Sequence, residues 1–405
     1  MNIESLIKEI ANNYNLTKEE ETKMLEMYKN DTRNQVSLEV ELNSLADYYN
    51  WQNKVATAIK NAPPLQQNQN YYIRTYDDKS NIILQGVNIE KISDTASGVN
   101  QVEKVLIDNK YRAYKKVDRV DVADNDMEIA ICQIGNLLNV SGAEEYTVYN
   151  SNKEKDSIIS RSVADSEYEE FYDFTSLYIK VDKYIKEGKI KNSKVSEYSD
   201  FKFNNSKEDY IKVIEKSIQI IRSLPMISQK DIRSIKASYF DMIIFGYITN
   251  QVDRNLNNYG LICNKKTKEY RFAPLFDNSI ILLPNLEENQ CSFNGYICNR
   301  NKLIDCLFEN YYEDIKEKVT YIINNKTRLI QIIDIIAKQN LDIKSYNLLM
   351  EKIIKNISYI EEKYLEKNNI IAPENAGYVN ILNMFIILTL IATISISIAC
   401  FLLRR

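Results

Sequence analysis

Histidine is absent from this 405-residue sequence. Its absence removes imidazole general bases, Ser-His-Asp and Cys-His machinery, and most zinc sites. Any chemistry must rest on carboxylates, lysines, amides or hydroxyls. Close CxxC pairs are missing as well, so Cys132, Cys263, Cys291, Cys298, Cys306 and Cys400 read as free thiols of a reducing compartment. Cys291, Cys298 and Cys306 form the tightest group, but their spacing suits no common metal site. No excess of one charge exists either: 52 basic and 56 acidic residues leave a net charge of -4, so direct nucleic-acid binding is not expected. The N-terminus has neither a basic region nor a continuous apolar run, so a cleaved secretion signal is not expected. No repeat of fixed period is evident.

What is present is a hydrophobic content of 44%, enough for a sizeable core spread over two or three structural units. Residues 381–403 carry no charge, and a helix of that length crosses roughly 30 Å of hydrocarbon. We therefore expect a transmembrane helix there, joined by a linker at 368–380, with the body of the protein in the cytoplasm and the chain held at the cell membrane by a single pass. Arg404 and Arg405 pull towards the opposite orientation. Asn383, Thr389, Thr393, Ser395 and Ser397 offer hydrogen bonds to a second copy of the same helix, so homo-association in the membrane is a further expectation.

Periodicity divides the body. Residues 1–63 predict three helices, at 3–13, 18–28 and 35–59, ended by Pro63 and Pro64. Residues 64–150 read as a small α+β lobe, with strands at 71–76, 82–87, 102–107 and 110–117 and a helix at 126–138. Residues 151–367 read as a mostly helical lobe, with helices at 207–223, 230–250, 302–324, 329–339 and 346–366.

Between two of these helices lies Asp253-Arg-Asn-Leu-Asn-Asn258-Tyr-Gly-Leu-Ile, then a polar turn, then Phe272-Ala-Pro-Leu-Phe-Asp277-Asn-Ser. An Asp, an Asn five residues on, a hairpin and a second Asp are the groups that phosphoryl transfer to a hydroxyl requires. One carboxylate orients or deprotonates the acceptor, while an amide and another carboxylate hold the Mg ions that neutralise the phosphates. A lone DxxxxN is common and equally suits a polar loop whose Asp and Asn cap turns.

Taken together, DRNLNNYGLI and FAPLFDNS resemble the catalytic core of the HipA-like serine/threonine kinase family. The resemblance implies a bilobal, protein-kinase-like α+β fold with a helical appendage before it. It also implies ATP and Mg2+ as cofactors and a protein Ser or Thr hydroxyl as acceptor. It assigns Asp253 as catalytic base, with Asn258 and Asp277 as metal ligands. The smaller lobe should then supply a lysine on a strand and a glutamate on the next helix. Strand alternation places Lys115 on one face with Ala113, within reach of Glu128; Lys116 is the rival one register step away. Upstream, Ser97, Gly98, Gln101 and Lys104 resemble the segment that covers the nucleotide, although the spacing departs from the family by about two residues. In the family this segment can carry a regulatory autophosphorylated serine, with Ser97 and Ser93 as candidates here. Two other functions stay open: an inactive nucleotide-binding scaffold at the membrane, and a kinase for a lipid or small-molecule hydroxyl.

Overall fold

The computed structural model describes residues 3–28, 35–77, 81–94, 102–117, 125–164, 166–190, 195, 201–224, 227–278 and 286–368. The expected transmembrane segment lies outside the described residues, as do Ser97, Gly98 and Gln101. Among the described residues no helix is long and apolar enough to cross a membrane. The chain divides into two units, one holding the N-terminal helices as far as Lys60 and one running from Asn61 to Asn368.

In the first unit, α1 (Ile3–Tyr14), α2 (Lys18–Tyr28) and α3 (Gln35–Asn61) follow the three periodic stretches closely. α1 buries Leu6, Ile7, Ile10 and Ala11, one face of a 3.6-residue period. α2 starts at a capping box, in which Thr17 N donates to Glu20 Oε2 at 2.7 Å and Glu20 N donates back to Thr17 Oγ1 at 3.3 Å.

The second unit opens with an antiparallel sheet. β1 (Tyr71–Tyr76), β2 (Ile82–Val87), β3 (Ile89–Asp94), β4 (Val102–Ile107), β5 (Tyr111–Val117), β6 (Glu145–Tyr149) and β7 (Lys155–Arg161) take the order β2-β1-β6-β7-β5-β4-β3. The strand set thus continues beyond residue 150 to Arg161. One face of the sheet buries Ile73, Val87, Val105, Ala113, Val148 and Ile159 as an apolar cluster. α4 (Asn125–Leu137) lies against β6 and β7. It is apolar around most of its circumference because a second helix, α10 (Lys326–Asn340), packs on it as well.

The remainder is mostly helical. β8 (Glu169–Asp173) and α5 (Phe174–Lys186) lead into α6 (Lys207–Ser223) and α7 (Gln229–Ile248), then come the short strands β9 (Asp253–Arg254), β10 (Gly260–Asn264), β11 (Tyr270–Phe272), β12 (Gln290–Phe293) and β13 (Tyr296–Asn299). α8 (Arg300–Asn310), α9 (Tyr312–Asn324), α10 and α11 (Ile343–Lys367) follow. The expected single helix over 302–324 is broken at Tyr311, whose φ of -132° leaves the helical region. Its ring packs 5.1 Å from Phe240 and its hydroxyl donates to Glu215.

Two three-stranded sheets frame the acidic loops. β10 pairs with β8 and β11, and β12 pairs antiparallel with β13 and parallel with β9. At Gly260 a Cβ would stand 2.3 Å from Tyr172 O and 2.5 Å from the Phe171 ring, so only glycine lets β10 lie this close to β8.

Candidate active site

Asp253 sits on the two-residue strand β9, where backbone pairing of Ser292 with Asp253 holds the loop against β12. The next residues of the motif fix its carboxylate. Asn255 Nδ2 donates to Asp253 Oδ1 at 2.5 Å, and Asn258 Nδ2 donates to Asp253 Oδ2 and to Asp253 O, both at 3.2 Å. Asn255 is itself held, its Oδ1 accepting from Ser292 Oγ at 2.9 Å and Gly295 N at 3.1 Å. Burial first, and the nearby charge of Asp277 second, push the Asp253 carboxyl above the usual aspartate range against the pull of Asn258 and Arg254.

Asp277 follows the β10–β11 hairpin and takes φ +56°, a left-handed conformation that aspartate tolerates better than most residues. There its amide donates to Glu128 Oε1 at 2.9 Å, while its carboxylate remains about half exposed. Arg254, 3% exposed, straps the two acidic segments together by donating to Phe276 O at 3.2 Å and to the side chain of Asn278. Asn278 in turn donates to Cys132 Sγ of α4 at 3.1 Å. Asp277 is thus flanked on both sides by residues anchored to the Asp253–Asn258 loop and to α4.

The lysine corrects the sequence expectation. Lys116 Nζ, not Lys115, meets Glu128, at 2.6 Å from Oε1 and 2.8 Å from Oε2, and lies 3.6 Å from Asp277 Oδ1. Lys115 points to the other face, where it pairs with Asp156 at 2.7 Å and lies over the Tyr71 ring. The physical reason is the sheet's second packed face. Ala113 belongs to the apolar cluster on that side, so alternation carries Lys115 there and turns Lys116 towards α4. Burial opposes charge on Lys116, but the carboxylates of Glu128, Asp277 and Glu145 outweigh it and hold the ammonium above the ordinary lysine range. Burial would raise Glu128, and Lys116 overcomes it to keep Glu128 below the usual carboxylate range.

The structure therefore brings Lys116, Glu128 and Asp277 into one cluster and Asp253, Asn255 and Asn258 into another, with Arg254 joining them. Lys104 is exposed on β4. Arg254 and Asn255 lie inside the motif, but nothing in their identity announced a strap and a brace. Cys291 stands opposite Cys298 in the β12–β13 register, and both are free, buried thiols raised above the usual range by burial.

Glu145, on β6, had no sequence signal at all. It is 8% exposed and lies beside Glu128, Ser160 and Cys132. Burial and the adjacent Glu128 charge push its carboxyl well above the usual glutamate range. Below the ordinary glutamate value of about 4.3 both folded and unfolded chains carry that proton. Above it the unfolded chain releases the proton more readily than the folded one, so stability falls as pH rises towards the folded-state pKa. Glu145→Gln should therefore raise the Tm at pH 7 to 8 and leave it nearly unchanged near pH 4. Thermal melts across that range check this, and a gain that is flat with pH contradicts it.

No protein-family model matches the chain, and no curated protein does. Among solved structures the chain is similar to the crystal structure of a Helicobacter pylori proinflammatory kinase, CtkA, with 17% identity and a TM-score of 0.47 over 67% of this chain and 94% of that one. It also overlaps the open conformation of CtTel1, with 13% identity and a TM-score of 0.30 over 79% of this chain and 13% of that one. At these identities and TM-scores neither likeness determines the fold or the chemistry, which rest on the strand order and side-chain distances given above.

Proposed function

We propose that the protein is a HipA-like kinase that transfers the γ-phosphate of Mg-ATP to a protein Ser or Thr hydroxyl. The observation that carries this reading is the meeting of Lys116, Glu128 and Asp277, three groups far apart in sequence, beside a loop that presents Asp253 and Asn258. Among the described residues no three or more Cys, Asp or Glu side chains gather as a self-contained metal site. A nucleotide-bound Mg2+ needs no such cage, since one or two protein ligands suffice when phosphates supply the rest. Asn258 and Asp277 suit that division: the Asn258 amide nitrogen is spent on Asp253, which leaves its carbonyl oxygen as an acceptor, and Asp277 is half exposed. Bound Mg2+ would neutralise phosphate charge as it develops.

The chain's own residues then divide the work. Lys116, oriented by Glu128, binds phosphate oxygens; Asp253, oriented by Asn255, accepts the proton of the acceptor hydroxyl. The charge-free stretch 381–403 supports tethering to a membrane, which raises the local concentration of substrates there.

The test is a thermal-shift titration of the full-length chain in detergent with Mg-ATP, followed by transfer of labelled γ-phosphate to dephosphorylated casein. Saturation to a hundredfold over Kd should stabilise the folded state by about 2.7 kcal/mol. Asp277→Asn should lose most of that shift. Absence of any shift in the wild type would sink the reading, and a shift without transfer to protein would favour the scaffold.

A further inference from the structure

Beside the Asp253 loop, the end of α7, strand β12 and the start of α8 surround a cavity of about 20 Å3, whose lining includes Tyr247, Gln251, Arg254, Ser292 and Arg300. Roughly 10–15 Å3 is enough for one water, so this space takes a single water or a monatomic ion and no phosphate or carboxylate group. Two of the lining side chains carry unused donors. Gln251 and Arg254 are 4% and 3% exposed, and among the described residues neither Gln251 Nε2 nor Arg254 Nε has a hydrogen-bond partner. Buried donors are nearly always satisfied, by protein or by a bound particle.

The lining is also cationic. Arg254 spends its two terminal nitrogens on Phe276 O and Asn278, and Arg300, equally buried, spends its own on the side chain of Asn250 and, at 2.6 Å, on Tyr247 O. All four acceptors are neutral, and among the described residues neither guanidinium makes an ion pair. Asp277, Asp253 and Glu128 act on Arg254 without touching it, while Glu288, the carboxylate that acts on Arg300, is taken by Lys352 and Lys355, both at 2.9 Å. Residues 279–285, which lie between the two lining segments and outside the described residues, include no Asp or Glu. A water would need acceptors for its own protons, and those nearby are engaged. Tyr247 O accepts from Arg300 and Asn356, Gly246 O accepts from Gln251 N, and the Ser292 hydroxyl donates to Asn255. Converging donors, two of them on buried cations, suit an anion better than a water.

We propose that Gln251 Nε2, Arg254 Nε and the Arg300 guanidinium hold one monatomic anion of halide size, chloride being the common one. The ion fixes the plane of the Arg254 guanidinium, whose other nitrogens strap Phe276 and Asn278, and so braces the segment that presents Asp277. The site stands independently of the kinase reading, because its occupancy is read from binding alone.

Thermal melts of the full-length chain in detergent compare sodium chloride, bromide and gluconate at equal ionic strength, gluconate being too large for the cavity. Chloride and bromide should raise the Tm saturably, by roughly 4 °C at a hundredfold over Kd. Gln251→Glu supplies a fixed carboxylate beside the arginines. It should melt in gluconate close to where the wild type melts in chloride, and the three salts should no longer differ. Chlorine NMR gives a second readout that needs no variant. The wild type should broaden the chloride line with the same midpoint as the thermal shift, and excess bromide, but not gluconate, should sharpen it again. If the salts rank alike in the wild type and Gln251→Glu, the cavity holds a water only and the proposal is overturned. Should Gln251→Glu fail to fold, the NMR competition decides: a chloride line that bromide leaves unchanged overturns the site, and one that bromide sharpens at the thermal midpoint upholds it.

Discussion

Replacing Lys116 by Met should lower phosphate transfer by about a hundredfold or more, the scale seen when one preorganised charge-stabilising donor is deleted, whereas Lys115→Met should change it by only a few fold. The contrast is the sharpest consequence of the β5 register. Lys116 is the cation shared by Glu128 and Asp277, while Lys115 serves Asp156 and Tyr71 on the opposite face of the sheet. The single Lys116 substitution leaves Glu128, 1% exposed, without its partner, and a stranded buried charge costs about 3–5 kcal/mol. Low activity alone could then reflect unfolding. The double variant Lys116→Met/Glu128→Gln removes both charges, so its melting temperature should recover towards wild type while transfer stays low. If Lys115→Met is the inactive one, or if the double variant regains transfer, the assignment of the site lysine is wrong.

Asp253→Asn should lower transfer by about 10²- to 10⁴-fold, the range associated with a positioned general base, yet leave the Mg-ATP thermal shift in place. Asn preserves the shape and can still meet the Asn255 and Asn258 side chains, but it accepts no proton. The pH profile adds a second readout. Burial and the Asp277 charge hold the Asp253 carboxyl above its ordinary range, and a base works only when deprotonated. Activity should therefore fall with decreasing pH on a limb lying above the usual aspartate value. Asn255→Ala removes a hydrogen bond that favours the ionised form, so it should move that limb further up and lower kcat more than it changes the KM for ATP. An Asp253→Asn protein that transfers phosphate normally would show that this carboxylate has no part in the chemistry.

Both expectations draw on features that differ in how openly the sequence displayed them. Helices with one apolar face were legible at once: α6, α11 and the three N-terminal helices lie close to the periodic stretches, because burial on one side of a cylinder prints a 3.6-residue rhythm. The Asp253–Asn258 loop was legible because its groups are local and a backbone turn suffices to join them. Strands β6, β7 and β8 and the helix α5 escaped, since segments of five to thirteen residues with mixed polarity carry too little periodic signal. Lys115 was preferred over Lys116 for a comparable reason. Alternation fixes which residues share a face but not which face meets α4, and Ala113 proved to belong to the far one.

Local spacing thus sufficed for the residue types available to the chemistry, for the absence of imidazole, and for the loop that holds Asp253 beside Asn258. Tertiary structure alone chose Lys116, recruited Arg254 as the strap between two acidic segments, and buried Glu145 beside Glu128. Those outcomes depend on long-range packing, in which a side chain's partner is set by the layer placed against its face and not by its neighbours along the chain.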